Sequence, residues 1–183
     1  MIFARSARLV LRRPRLNDAG ALMRLRSDPV LNRFTGPPKS EEWVLDLVRE
    51  MEAKNPGETQ PSPWCQFMIE RTLDGAVIGD IGVGFDIPGE HQVELGYRID
   101  TPFHRQGYAR EALAAMIDYL IFEHRIHRFV AVTAALNHAS TGLLQRLGFR
   151  REGVFRESFL CHGEWMDDHY FALLASEWQA PAR

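Results

Sequence analysis

Net charge, cysteine and long apolar runs are all scarce in this sequence. Twenty-two lysines and arginines stand against 24 aspartates and glutamates, a net charge of −2. That balance gives no general reason to expect nucleic acid or an anionic membrane as partner. No apolar run approaches the roughly 20 residues that span a bilayer. The two cysteines, Cys65 and Cys161, are too few and too scattered for a zinc site or a disulfide framework. Each alternates within a strand-like run, which argues for a core position and against a nucleophilic thiol. The seven histidines show no metal-ligand spacing, so no metal is expected. No apolar segment of the signal-peptide kind follows the start, and a reducing cytoplasm fits best.

What is present suits one domain over residues 1–183, with 45% apolar and 25% charged residues, enough for a full-sized core. Residues 7–13 alternate as a half-buried edge strand with Leu9 and Leu11 on one face. The arginines around them, Arg5 to Arg15, leave a basic arm as the other reading. Asn17 or Asp18 can cap a helix to about Ser27, stopped by Asp28-Pro29. Ser40-Glu41-Glu42 opens a second helix whose buried face would hold Trp43, Val44, Leu47, Val48 and Met51. Asn55-Pro56-Gly57 stops it, and residues 60–63 read as a surface loop.

Strands at about 65–70 and 77–85 flank a hairpin turn at Asp74-Gly75. Pro88-Gly89 turns the chain into a fourth strand, 92–99. From Ala109 to Ile121 apolar residues recur at i, i+3, i+4 and i+7, a helix laid on a sheet. Residues 128–136 are nearly all apolar, as in a central strand. Strand, helix and strand here form a right-handed βαβ unit. Asn137 can cap a short helix, 138–147, closed by Gly148. Strands at 152–161 and 166–174, joined by a turn from His162 to Trp165, complete the count. The expected class is α+β (α/β): about seven strands in a mixed, mostly antiparallel sheet, flanked by four helices.

The stretch His104-Arg105-Gln106-Gly107-Tyr108-Ala109 lies between the fourth strand and the long helix. A glycine-bearing turn that opens a helix exposes unpaired backbone N–H groups at the positive end of the helix dipole, so it suits an anion. A plain loop entering a core helix reads equally well from this stretch alone.

Several motifs in order carry a resemblance. They are Arg8-Leu9-Val10-Leu11-Arg12-Arg13-Pro14 with Asp18-Ala19, then Asp28-Pro29-Val30, then Glu94-Leu95-Gly96-Tyr97 with Gly107-Tyr108-Ala109-Arg110-Glu111-Ala112. Asn137-His138-Ala139-Ser140 with Leu147-Gly148-Phe149, and Gly163-Glu164-Trp165-Met166-Asp167-Asp168, follow. Together they resemble the GNAT superfamily of N-acetyltransferases, in the RimJ/RimL-type branch that acetylates ribosomal-protein N-termini and related amines. The resemblance implies a GNAT fold with a βαβ acetyl-CoA-binding core. It also implies direct transfer of acetyl from acetyl-CoA to a primary amine. One place departs: the family's phosphate arm usually starts with Gln or Arg, and here that place is His104, with Arg105 adjacent to supply charge.

The resemblance further implies an acetyl group near Tyr97, Arg98 and Ile99, held by a backbone N–H where two strands splay. It puts Asn137 on the pantetheine amide, where its other reading is the helix cap. It makes Ser140 an acid near the sulfur, where its other reading is an ordinary first-turn serine. For the base, Glu94 comes first, because a carboxylate on a central strand is costly to bury without a task or a partner. Its other reading is a salt bridge with Arg98. Glu157 comes second, near where a relative's catalytic carboxylate falls, although the aligned position is Phe159; His104 is third. The acceptor is expected to be a peptide N-terminus, a polyamine, an amino acid or an amino sugar, drawn by acidic residues such as Asp86, Glu90, Asp167 and Asp168. Trp43, Trp64, Trp165 and Trp178 line the cleft or simply pack. Two readings of another class stay open: a non-catalytic acyl-CoA-binding module, and a ribosome-associated partner suggested by the arginine-rich start. The apolar C-terminal strands leave room for a homodimer.

Overall fold

In the computed structural model, which describes residues 1–58, 63–85 and 91–180, eight strands join one sheet. They are β1 (Ile2–Arg5), β2 (Leu9–Arg12), β3 (Trp64–Arg71), β4 (Val77–Gly84), β5 (Gln92–Ile99), β6 (Arg128–Ala134), β7 (Arg150–Cys161) and β8 (Glu164–Leu174). Their order across the sheet is β1-β2-β3-β4-β5-β6-β8-β7. Every neighbouring pair is antiparallel except β5 and β6. Five helices accompany the sheet: α1 (Ala19–Ser27), α2 (Pro29–Asn32), α3 (Glu41–Ala53), α4 (Tyr108–His124) and α5 (His138–Arg146). The mixed, mostly antiparallel sheet and the βαβ unit β5-α4-β6 are as the sequence implied. Among the described residues no helix is long and apolar enough to cross a membrane.

The differences have local causes. The edge strand is β1, not the strand read at 7–13. Phe3 packs edge-on against Phe67, ring centroids 5.0 Å apart, and so draws Ile2–Arg5 onto the sheet. All of β2 is therefore buried, Arg12 included. Arg12 survives there because Asp18 takes two of its nitrogens, at 2.7 and 2.8 Å, and Glu70 takes a third. Asp28 does end α1, but its carboxylate then accepts from the Val30 amide and caps the extra helix α2, with Pro29 at its first position. On α3 the buried stripe is Val44, Val48 and Met51, while Trp43 is exposed. The β7–β8 turn needs only His162 and Gly163, both at positive φ, since Cys161 already faces Glu164. The Asp74-Gly75 turn is where the sequence placed it, with Gly75 at φ 70°. The Pro88-Gly89 turn, Asp86, Glu90 and the loop at 60–62 lie outside the described residues.

Strand alternation divides the core. One face, carrying Phe67, Ile81, Leu95 and Phe129, packs on α4 through Leu113, Met116, Ile117 and Leu120. The other face is smaller: Met68 meets Leu22 of α1 and Val44 and Val48 of α3. The two faces meet at β5, and there the site is built.

Candidate active site

β5 and β6 begin as neighbours and then separate. Gln92, Val93 and Glu94 pair with Arg128, Phe129 and Val130, and the register stops there. β5 nevertheless stays paired with β4 as far as Ile99. Among the described residues, the half of β5 beyond Glu94 thus offers one edge to no strand. Alternation decides which residues face that gap. The Asp100 amide donates to Ile78 O, toward β4. The Arg98 carbonyl also lies on the β4 side, 2.2 Å from where a Cβ on Gly79 would sit. Residues two apart share a direction, so the main-chain groups of Leu95, Tyr97 and Ile99 face the gap. Of the residues expected at the acetyl group, Tyr97 and Ile99 point their amides into the gap, whereas Arg98 turns its amide to β4.

The phosphate arm follows directly. A short 3-10 turn, Thr101–Phe103, leads to His104, whose Nε2 lies 2.7 Å from Ile99 O. His104 thus ties the arm back to the end of β5. Arg105 and Gly107 both have positive φ, 59° and 82°. Left-handed residues of this kind turn successive N–H groups inward around an anion. Gly107 is the N-cap of α4 and supplies no side-chain cap, so the first amides of the helix stay available. Gln106 anchors itself through Nε2 to Pro102 O at 3.0 Å. The packing side of the arm is Tyr108, buried under the Arg8 guanidinium at 4.3 Å from its ring centroid. Ala109 continues the helix, half-buried against the core.

Two residues that strand and helix periodicity did not single out hold this arm in place. Arg8 Nη1 and Nη2 donate to Gln106 O, both at 3.2 Å, and its Nε donates to Glu111 Oε2 at 2.7 Å. Glu111 Oε1 also accepts from Ser6 Oγ at 2.7 Å and from the Arg8 amide at 2.9 Å. Burial raises the Glu111 pKa, but these bonds from Ser6 and Arg8 outweigh it and leave the group below its ordinary value. Both residues stand inside motifs quoted above. Nothing in the spacing of positions 8 and 111 says that they touch.

Across the gap, Tyr97 Oη and Ser140 Oγ lie 2.8 Å apart. The first turn of α5 is thereby latched to β5. Burial pushes the Tyr97 phenol up to about 12, against a smaller lowering by Ser140, so it keeps its proton at neutral pH. Asn137 is the helix cap, accepting the Ser140 amide at 3.1 Å through Oδ1. Its carboxamide nitrogen is the atom that could meet an amide of a ligand lying in the gap.

The opposite face of β5 carries Glu94, Gly96 and Arg98. Glu94, half-buried, sits at the vertex where β5 and β6 part. The Trp64 ring covers Gly82 on the neighbouring strand and stands 3.9 Å from where a Gly96 Cβ would be. Trp64 is the tryptophan that borders the site. Trp178 instead bonds Asp118 and packs on the core, and Trp43 and Trp165 are exposed. Arg98 Nη2 donates to Thr35 Oγ1 at 3.0 Å. Residues 32–35 form one wall, because Asn32 O and Arg33 O also meet His162 and Cys161 at the tip of the β7–β8 hairpin.

Glu157 stands elsewhere than alternation suggested. Between Phe155 and Phe159, β7 holds four steps against two on β8, so two extra residues bulge out. Glu157 has φ 48° within that bulge and is exposed, its amide held by Asp167 Oδ1 at 2.8 Å. The face it was expected to share with Phe155 and Phe159 is therefore interrupted. Asp168 ties down the same bulge through Ser158. Burial raises the Cys65 pKa, and Cys161 is buried as well.

Known proteins resemble this chain in sequence and in fold. Residues 8–150 match the acetyltransferase (GNAT) domain family. An uncharacterized N-acetyltransferase of Bacillus subtilis, YnaD, is 34% identical over 172 residues, covering 93% of this chain and 96% of that protein. The crystal structure of a GNAT-family acetyltransferase from Bacillus anthracis superposes with a TM-score of 0.83 at 27% identity, covering 97% of this chain and 100% of that one. The ribosomal L7/L12 α-N-protein acetyltransferase RimL, solved with coenzyme A, has a TM-score of 0.82 at 22% identity over 95% of this chain and 98% of that one; this likeness is of fold.

Proposed function

The chain belongs to the GNAT acetyltransferase family, and from that premise we propose that it moves acetyl from acetyl-CoA to a primary amine by direct attack, with both substrates bound at once. Acetyl-CoA supplies an acetyl thioester; the residues around the gap do the rest. The observation that carries the reading is the gap itself, lined by the amides of Leu95, Tyr97 and Ile99 and ending at an uncapped helix N-terminus. Anionic phosphate groups suit the amides after Gly107. The strand edge suits the extended amide-bearing arm of the cofactor, with the Asn137 carboxamide beside it.

An amine acceptor has a pKa of about 10 in water and arrives protonated. In this reading Glu94, at the vertex on the opposite face, takes that proton. A gap-facing amide of β5 stabilises negative charge developing on the thioester oxygen. The Tyr97–Ser140 hydroxyl pair lies on the cofactor face and returns a proton to the departing thiolate. Base and acid so stand on opposite faces of one strand, which keeps them from neutralising each other. Glu157 and His104 recede as alternatives, the first in an exposed bulge and the second engaged with Ile99 O.

Thermal unfolding with excess acetyl-CoA tests the cofactor. A ligand at about 100 times its dissociation constant adds roughly 2.7 kcal/mol. Thiol release across an amine panel then tests the transfer. Glu94→Gln is expected to lower kcat by about 10²- to 10⁴-fold without changing the acetyl-CoA shift. An unchanged kcat would remove Glu94 from the mechanism. A thermal shift with no turnover of any amine would favour the non-catalytic acyl-CoA-binding reading instead.

A further inference from the structure

The Glu94 face of β5 carries a second feature beyond the base. Asp80, on β4 beside Arg98, is buried and engaged on both oxygens: Arg26 Nη1 donates to Oδ1 at 3.1 Å, and Arg26 Nη2 and Gln66 Nε2 both donate to Oδ2. Its lone pairs are directed at Arg26 and Gln66. Arg98 is left with the Thr35 hydroxyl, and its Nε is buried with no hydrogen-bond partner among the described residues. Arg26 and Arg98 thus stand in the field of one carboxylate, which bonds Arg26. Burial is the first cause, and Arg26 the second, that pushes Arg98 down to about 10, with Asp80 opposing. It remains a cation at neutral pH. A half-buried guanidinium whose Nε–H is buried and idle is costly unless an anion completes it, and a planar fork of this kind suits a carboxylate.

The surroundings say where that anion comes from. Arg98 ends the line Glu94, Gly96, Arg98 on one face of β5. The middle residue has no side chain, and a Cβ there would meet only the Trp64 ring, at 3.9 Å. Thr35, which holds the Arg98 tip, is exposed, so the guanidinium borders solvent on the wall that runs to the hairpin tip. Resting on the acetyl transfer proposed above, we propose that Arg98 selects the acceptor: the amine acetylated here carries a carboxylate, bound by Arg98 while the amine stands at the Glu94 end. Four residues of strand separate the two, about 13 Å between backbones. That span favours an acidic side chain in the first residues of a peptide over the α-carboxylate of a free amino acid.

The test compares matched acceptors. One arm uses short peptides with Asp or Asn at the second position; the other uses a free amino acid and its primary amide. Wild-type kcat/KM is expected to favour the acid, by about tenfold to a hundredfold in the peptide arm and less in the amino-acid arm. The preference should sit in KM, because the carboxylate is remote from the reacting atoms. Arg98→Gln should erase it while the acetyl-CoA thermal shift persists. Should Arg98→Gln fold poorly, Arg98→Lys keeps the charge without the fork and should retain only part of the preference. Equal use of acid and amide in both arms would overturn the inference alone, as would a preference that survives in Arg98→Gln. No turnover of any amine would sink the transfer reading and this one together.

Discussion

On one face of β5 the polar machinery comes mostly from residues close in sequence. From Tyr97 through the arm to Ala109 the chain is continuous, and only Asn137, Ser140 and the Arg8 clamp arrive from elsewhere. On the other face every partner is distant. Arg98 meets Thr35, Asp80 meets Arg26 and Gln66, and the wall is closed by a hairpin tip at 161–162. The first face works through backbone amides and dipoles, which need little more than a turn of the right handedness. The second works through buried charges, which need partners fixed by the whole fold. The difference teaches what each face can tolerate: the face of Tyr97 and the arm is set by local conformation, the face of Arg98 by long-range pairing.

The largest effect should come from the second face. Asp80→Ala leaves Arg26 buried without its carboxylate, and removing one partner of such a pair costs about 3–5 kcal/mol. A denaturant midpoint close to the wild type would mean that water already relieves the cluster. On the first face, Gly107→Val places a β-branched residue at φ 82°, where the left-handed conformation alone costs about 1–2 kcal/mol. The acetyl-CoA thermal shift should then fall by more than the stability does, because the arm itself is what moves. Equal falls would make Gly107 a structural residue only.

The Arg8–Glu111 clamp gives a pH signature. Glu111 is held below its ordinary value of 4.5, so its contribution to stability is complete above that pH and lost as pH falls through the lower folded value. The difference in melting temperature between wild type and Glu111→Gln should be full at neutral pH and close in acid. A difference that is constant from pH 7 to pH 3 would show that the carboxylate charge is not what holds the arm. The smallest effect is expected from Asn137→Ala, which removes the α5 cap at a cost of about 1 kcal/mol. Any loss in acetyl-CoA affinity beyond that, read by titration, measures the part Asn137 plays toward the cofactor. None would leave it a cap.

The same contrast explains what could be read from the chain beforehand. The βαβ unit, the long helix over 109–121 and the arm at 104–109 follow from periodicity and from Gly107, which are local signals. Alternation also put Glu94, Gly96 and Arg98 together on one face, and Asn137 before α5. It erred at Glu157, because a two-residue bulge takes that residue out of the ladder at positive φ and leaves no compositional mark. It also read β2 as an edge, because the four residues that cover it are too short a run to stand out.

The sequence by itself determined most of the elements, the direction of each side chain along β5 and the family. These depend on contacts within a few residues, where backbone sterics and apolar spacing act directly. Only the tertiary structure decided where β5 leaves β6, which of its amides face the gap, and that Asp80 bonds Arg26 and Gln66 while Arg98 bonds Thr35. Those outcomes rest on strand pairing and on polar groups brought together across long stretches of chain, as with Arg26 and Asp80, Thr35 and Arg98, or Asn32 and His162, 54, 63 and 130 apart. No local pattern encodes such distances, because the free energy that fixes them is gained only when the sheet and its helices pack.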